Sequence, residues 1–362
     1  MAQAVRTLTV ALGERSYPIH IAPGLLEHSG EMIRAALGEC TCAIITDDRV
    51  GPLYLARVEA SLRAAGLRCA SLILPEGESS KSLTQLSRVY DFLCQAGMTR
   101  RDAVLALGGG VMGDLAGLAA ATFLRGVSLI QLPTSLLAQV DSSVGGKVAV
   151  DLPQGKNLVG AFHQPRMVLL DPETLETLSP QVWRDGLGEV VKYGCIGDAA
   201  LFELLEQHAA GGRSALMAHM EDILLHCLRA KERVVEADEH DTGERMILNF
   251  GHTLGHAVEA VQGYGGLRHG EAVALGMAVV TRMSEARGMT APGTSARLDR
   301  LLDALGLPTH GQGIAPQTLM APMRLDKKSL GGALRIILLK EIGACYVETT
   351  SVDWFAPVGD YL

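Results

Sequence analysis

Ala103-Val104-Leu105-Ala106-Leu107 runs directly into Gly108-Gly109-Gly110-Val111-Met112-Gly113-Asp114, and an Ala/Leu-rich segment follows. An apolar run with no alternation predicts a strand buried on both faces, the pattern of a parallel sheet covered by helices. Glycines at a strand-to-helix turn let backbone N–H groups approach a pyrophosphate, and the helix N-terminus adds partial positive charge. Gly108, Gly110 and Gly113 satisfy G-x-G-x-x-G. The dinucleotide fingerprint also asks for an acid about 20 residues later, at the end of the next strand. The QLPT that ends that strand offers none, which leaves Asp47, at the end of an earlier apolar run, as a ribose partner in a different order of parts. A glycine turn that serves packing alone is the plain alternative, and nucleotide binding is the favoured reading.

Outward from this turn the same texture extends to about Pro180. CAIITDD, CASLILP, VSLIQLP and RMVLLD are further strand candidates, and Pro52–Ala65 and Lys81–Gln95 carry helical spacing between them. Residues 1–179 are therefore expected to form a Rossmann-like α/β domain with a mostly parallel sheet. From 180 to 362 the apolar periodicity turns helical, over Ala199–His208, Leu216–Val235, Leu254–Val261 and Glu271–Arg287, with LRIILLK and ACYVETT reading as a late hairpin. That predicts a mainly α-helical second domain, and a cleft between the two as the expected active site.

Composition narrows the function. The chain has 362 residues, with 32 Lys plus Arg against 40 acidic residues and a net charge of −8. That balance repels a polyanion, and 4% aromatics leaves few stacking platforms, so nucleic-acid binding is not expected. The longest apolar stretch, Leu115 to Leu124, is far short of the ~20 residues a bilayer requires. Arg and Glu near the N-terminus interrupt any signal-peptide core, and the seven cysteines are odd in number with no C-x-x-C pair, so a cytoplasmic protein with reduced thiols is expected.

Two further clusters carry chemistry. Gly145-Gly146-Lys147 and Gly155-Lys156-Asn157 read as anion-capturing loops, although their spacing is not that of a P-loop. His252 and His256 stand at i, i+4 on one helical face, and Thr253 occupies the position where a zinc protease would place its glutamate. With a third ligand from His269, Glu189 or Glu271 they could form a metal site with an open position. Lys231 and Arg245 add cations suited to a phosphate or carboxylate ligand, whereas Arg233 reads as a solvated charge.

As a set, PEGESSK, GGGVMGDLAG, RGVSLIQLPTSLLAQVDSSVGGK, GKNLVGAFHQP, GLGEVVKYG, NFGHTLGHAVE and HGEAVALGM resemble the 3-dehydroquinate synthase family in order and spacing, from residue 75 to the Asp326-Lys327-Lys328 segment. The resemblance implies NAD, one divalent metal (zinc or cobalt), a homodimer, and conversion of the sugar phosphate 3-deoxy-D-arabino-heptulosonate 7-phosphate to 3-dehydroquinate in the shikimate pathway. It places the metal on Glu189, His252 and His269, which moves His256 to a polar role near the substrate. Cofactor contacts fall on Glu76, Gly77, Glu78, Ser79, Ser80, Lys81, Gly110, Val111, Met112, Gly113, Asp114, Thr134, Ser135, Thr174, Leu175, Glu176 and Thr177. Lys147 and Lys156 face cofactor and substrate together. Substrate binding falls on Arg125, Asp141, Asn157, Lys192, Lys231, Arg245, Asn249 and Lys327 or Lys328. Catalytic roles fall on Lys147, Asn157, Lys192, Lys231, Arg245, Asn249 and His256. Ser135, His163 and Asp241 depart from the family's usual threonine, tyrosine and glutamate.

The chemistry implied is transient oxidation of an alcohol beside the carbon that loses phosphate, which makes its C–H acidic, followed by elimination, return of the hydride, ring opening and aldol closure. The departing phosphate serves as base while the protein orients it. A metal-dependent polyol dehydrogenase would share the two-domain plan, but it needs no set of lysines like 147, 156, 192 and 231. Another sugar-phosphate cyclase, such as an amino-dehydroquinate synthase, is the nearer alternative, against which Asn249 and His256 count. A nucleotide-sensing regulator would need no metal triad.

Overall fold

The apolar runs of the first half lie side by side because each must cover two faces. The computed structural model describes residues 4–241, 243–263, 266–311, 313–328 and 333–362, with the backbone alone for 324–328. The chain divides into two units, Met1–Leu178 and Ser179–Leu362. In the first unit the strands are β1 (Arg6–Val10), β2 (Tyr17–Ile21), β3 (Thr41–Asp47), β4 (Arg68–Leu74), β5 (Ala103–Gly108), β6 (Ser128–Pro133), β7 (Lys147–Leu152), β8 (Gly155–Phe162) and β9 (Met167–Leu170). The helices are α1 (Ser29–Leu37), α2 (Gly51–Ala64), α3 (Leu83–Gln95) and α4 (Gly110–Thr122).

Seven strands form one sheet in the order β1-β2-β9-β6-β5-β3-β4, parallel except for β1 against β2. Successive residues of β3 show why its run is apolar throughout. Ala43 and Ile45 pack with Leu86, Val89 and Leu115 on one face, while Cys42 and Ile44 pack with Ile33, Val58 and Leu62 on the other. The chain leaves β3 towards β4 at one edge and returns through β5 on the other side. The carboxyl ends of β3 and β5 thus flank a topological switch point, where open α/β sheets bind ligands.

Two parts of this unit differ from the sequence reading. Strands β1 and β2 were not expected. Lys147 and Lys156 do not lie in loops but in an antiparallel hairpin, β7–β8, with Lys147 opposite Phe162. Glycine and charge dilute its period-2 signal, and only the packing of Val148 and Val150 beneath α4 makes the strands visible.

The second unit holds α5 (Pro180–Gly197), α6 (Ala199–Ala209), α7 (Gly212–Met217), α8 (Met220–Ala237), α9 (His252–Gln262), α10 (His269–Ala286), α11 (Thr294–Ala304) and α12 (Pro316–Lys328). The antiparallel hairpin β10 (Leu334–Glu341) and β11 (Ala344–Thr350) stands where the late strand runs were read. Helical spacing over 216–235 breaks at His219, whose φ of −115° and ψ of 14° separate α7 from α8. The core gathers Leu254, Val258, Leu275, Val279, Met283, Leu338 and Phe355. No described helix is long and apolar enough to cross a membrane, and all seven cysteines are free thiols.

Candidate active site

The helical unit brings together residues that lie up to 80 positions apart, and small residues make this possible. A Cβ at Gly188 would run into the Gly270 carbonyl, one at Gly270 into the Asp185 carbonyl, and one at Gly276 into the Gly251 carbonyl. Helix α5 therefore touches the start of α10 backbone to backbone, and α10 touches the entry to α9 in the same way. Asp185 Oδ1 fixes the first contact by accepting from Gly270 N at 2.7 Å, which caps α10. Each contact abuts a candidate metal ligand: Glu189 follows Gly188, His269 precedes Gly270, and His252 follows Gly251.

Glu189, fully buried, faces both imidazoles. Its Oε1 lies 3.5 Å from His252 Nε2 and 3.6 Å from His269 Nε2. A tetrahedral ion with ligands at about 2.0–2.1 Å spaces them roughly 3.4 Å apart, so these three atoms fit one divalent cation. The outer nitrogens fit as well. His252 Nδ1 is 3.1 Å from the Phe250 carbonyl, and His269 Nδ1 is 3.4 Å from Glu259 Oε2. Each ring thus has an acceptor for its Nδ1–H, leaving Nε2 for a metal.

Electrostatics separate the two histidines. Burial, reinforced by the Lys192 charge, holds His252 down at about 3. Burial also acts to lower His269, but hydrogen bonds to Glu189 and Glu259 outweigh it and push that ring up to about 10. Of the other ligand candidates, Glu271 accepts from Arg268 N at 3.1 Å and pairs with Arg184 at 3.2 Å, both at the α10 N-terminus. His256 lies one turn beyond His252, its ring centroid 5.4 Å away, and forms with Glu259 and His269 a second group able to hold a cation.

One cation lies against this centre, and two more are buried elsewhere in the unit. Lys192 is 1% exposed, its Nζ against Glu189 Oε2 and 5.0 Å from the Tyr193 ring centroid. Lys231 on α8 and Arg245 are also buried. The Arg245 turn is held by Asp238, whose Oδ2 accepts from Gly243 N and Arg245 N, while Arg245 Nη1 donates to the Glu239 carbonyl. Such cations are chemically suited to a phosphate or carboxylate ligand. Asn249 is exposed at the end of the same turn. The side chains of Lys327 and Lys328 lie outside the described residues.

In the first unit, the cofactor candidates line the carboxyl ends of β4, β5, β6 and β9. Asp47 ends β3, with Oδ2 beside Gly108 and Oδ1 accepting from Arg49 N and Val50 N at 3.0 and 2.8 Å. Asp47 therefore stands beside the glycine turn, at the end of the strand that borders β5. At Gly108 a Cβ would meet Met112, and at Gly110 it would stand 3.0 Å from Ser142 Oγ. The turn after β4 carries residues 76–81. Its Lys81, buried, pairs with Asp114 Oδ2 at 2.5 Å and donates to Asn157 Oδ1, while Lys156 Nζ is 3.8 Å from Glu78 Oε1. Asn157 holds a left-handed φ of 58°, and its N–H donates to Asp151 Oδ1 at 2.7 Å. Burial raises the Asp114 carboxyl to about 6, although the Lys81 charge opposes this.

Thr134 N donates to the Gly108 carbonyl at 2.9 Å, and Ser135 Oγ accepts from Ala138 N at 3.3 Å. A residue the sequence did not single out ties these loops together. Gln139, fully buried, donates through Nε2 to the Pro133 and Asp171 carbonyls and to Thr174 Oγ1. Tyr54 adds a 2.6 Å hydrogen bond to Thr177 Oγ1. Asp141 lies in the 138–142 turn. Arg125 stands apart from all of these. It precedes β6, so it lies at the amino ends of the strands, exposed and with a φ of 67°. His163 Nε2 lies at that same end, 2.9 Å from the Val127 carbonyl.

Family models for the N-terminal and C-terminal parts of 3-dehydroquinate synthase match residues 71–185 and 186–329. The 3-dehydroquinate synthase of Pelobacter propionicus is 49% identical over 348 residues, 96% of both chains. Among solved structures, a 2-deoxy-scyllo-inosose synthase complexed with carbaglucose-6-phosphate, NAD+ and Co2+ superposes with a TM-score of 0.89 at 25% identity, covering 99% of this chain and 100% of its own. The 2-epi-5-epi-valiolone synthase of Streptomyces hygroscopicus with NAD+ and Zn2+ bound gives 0.87 at 27% identity, covering 96% and 97%.

Proposed function

This chain belongs to the 3-dehydroquinate synthase family, and from that premise we propose that it converts 3-deoxy-D-arabino-heptulosonate 7-phosphate to 3-dehydroquinate and phosphate, with NAD used catalytically and one divalent metal. The convergence of Glu189, His252 and His269 beside the buried Lys192 carries this reading. When bound, the metal supplies Lewis acidity and NAD a reversible hydride acceptor.

The chain's own residues supply binding and orientation. We read Glu189, His252 and His269 as the metal ligands. Lys192, Lys231 and Arg245 bind the anionic groups of the substrate, and Asn249 and His256 orient its hydroxyls. Lys147, Lys156 and Asn157 contact cofactor and substrate, with Asp141 and Lys327 or Lys328 completing the substrate set, and Arg125, at the amino ends of the strands, is left outside it. On the cofactor side, Asp47 accepts from a ribose hydroxyl, and the first turn of α4, residues 110–114, receives the pyrophosphate. Segments 76–81, 134–135 and 174–177 enclose the remainder. Residues 1–179 thus form the NAD-binding half, and 180–362 the metal- and substrate-binding half.

The enzyme is in this reading a carbon–oxygen lyase that acts as a cytoplasmic homodimer with zinc or cobalt. Seven free thiols agree with a reducing compartment. Phosphate release from the heptulosonate phosphate with trace NAD tests the proposal. Turnover should exceed the NAD supplied, stop with a chelator and return with zinc or cobalt. Stoichiometric accumulation of NADH would instead mark a dehydrogenase.

A further inference from the structure

The two imidazoles of the metal set are held from behind by different kinds of acceptor. His252 Nδ1 faces the Phe250 carbonyl, a neutral group two residues earlier, whereas His269 Nδ1 faces the Glu259 carboxylate, ten residues earlier and on a different helix. Glu259 stands on α9 seven residues, or about two turns, after His252, on the same side of the helix. It reaches the start of α10 because the two helices approach closely, Gly255 lying against Ala272 and Gly251 against Gly276. A neutral imidazole carries one proton, and whichever nitrogen keeps it cannot bind a metal. An acceptor-only group behind Nδ1 therefore decides which nitrogen is left bare.

We infer that Glu259 is a positioning residue for the metal site: its carboxylate accepts the Nδ1–H of His269, fixing the ring's orientation and the tautomer that presents Nε2 alongside Glu189 and His252. This rests on the reading of Glu189, His252 and His269 as metal ligands. The charge of Glu259 also makes His269 a stronger electron-pair donor than His252, whose acceptor is neutral.

Cobalt(II) added to the metal-stripped enzyme is the probe, with affinity read by competition against a chelator and geometry by the visible absorption bands. Glu259→Ala should bind cobalt 10–100-fold more weakly with altered bands, the range seen when such outer partners are removed. Glu259→Gln, which keeps a neutral acceptor, should fall between Ala and the parent, and it carries the test if the Ala variant fails to fold. NAD affinity should be unchanged in both. Cobalt affinity within twofold of the parent and identical bands in both variants would overturn the inference. So would loss of a second, weaker cobalt equivalent alone, which would make Glu259 a ligand of the neighbouring His256 group. A purely structural Glu259 would lower the thermal midpoint of the metal-free chain and leave cobalt affinity untouched. His269→Ala is the control: if it binds cobalt like the parent, the metal-set reading fails rather than the role of Glu259.

Discussion

The two units solve the problem of placing a ligand with opposite architectures. In the α/β unit, candidate residues follow one another at the carboxyl ends of parallel strands, so backbone topology alone lines up the segments after β4, β5, β6 and β9. In the helical unit no such edge exists. Glu189, His252 and His269 come from three helices, and they meet only because glycines at 188, 251, 270 and 276 let those helices touch. Glycine serves the first unit at a turn, where in the proposed reading a phosphate comes near the backbone, and the second as a spacer between helices. A loop site should therefore tolerate side-chain loss gradually, whereas a packed helical site should fail sharply.

The strongest break of that contrast is His269→Ala. Metal retention and turnover should be lost, by at least ~10³-fold in kcat, while NAD affinity stays near the parent value; metal content and NAD titration measure the two. Gly270→Ala comes next. Its new methyl group must part α5 from α10, at a cost of about 1–3 kcal/mol in stability together with most of the metal affinity, read by thermal unfolding and chelator competition. Lys192→Ala should lower kcat/KM by roughly 100-fold, the scale of a lost charge-assisted hydrogen bond, and weaken substrate use far more than NAD binding.

Two pH experiments sharpen the comparison further. In the metal-free chain His269 holds a proton to about pH 10, so metal must displace it. Metal affinity should then rise with pH, up to about tenfold per unit between pH 6 and 8, as followed by titration with cobalt. In the α/β unit the folded-state value of Asp114 is about 6 against 3.8 for an ordinary carboxyl. The folded chain therefore binds the extra proton between those values, and this group's contribution to stability grows as pH falls from 7 to 5, by on the order of 1 kcal/mol. Comparing the parent with Asp114→Asn in denaturant at both pH values isolates that contribution, since the variant should lack it.

Much of the first unit was legible because a strand buried on both faces must be apolar at every position, and such runs are rare by chance. The glycine turn at 108–113 was legible for the same local reason. The β7–β8 hairpin was not, since Gly145, Gly146 and Gly155 read as loop and its strands are stabilised by α4 rather than by their own pattern. Gln139 was invisible because its three partners come from residues 133, 171 and 174, with no motif in common. In the helical unit, the resemblance named Glu189, His252 and His269, whereas spacing alone had favoured His252 with His256. Spacing counts residues along one helix, and the site is built across three.

The order of apolar runs, the glycine turn, and the identity of the charged residues were thus written in the chain itself, because each depends on neighbours within a turn or a strand. Which of those charges face one another was decided only by tertiary packing. A carboxylate on α5, a histidine opening α9 and another opening α10 share one centre because three backbones approach more closely than any side chain but hydrogen would permit. No property of a single segment encodes that approach.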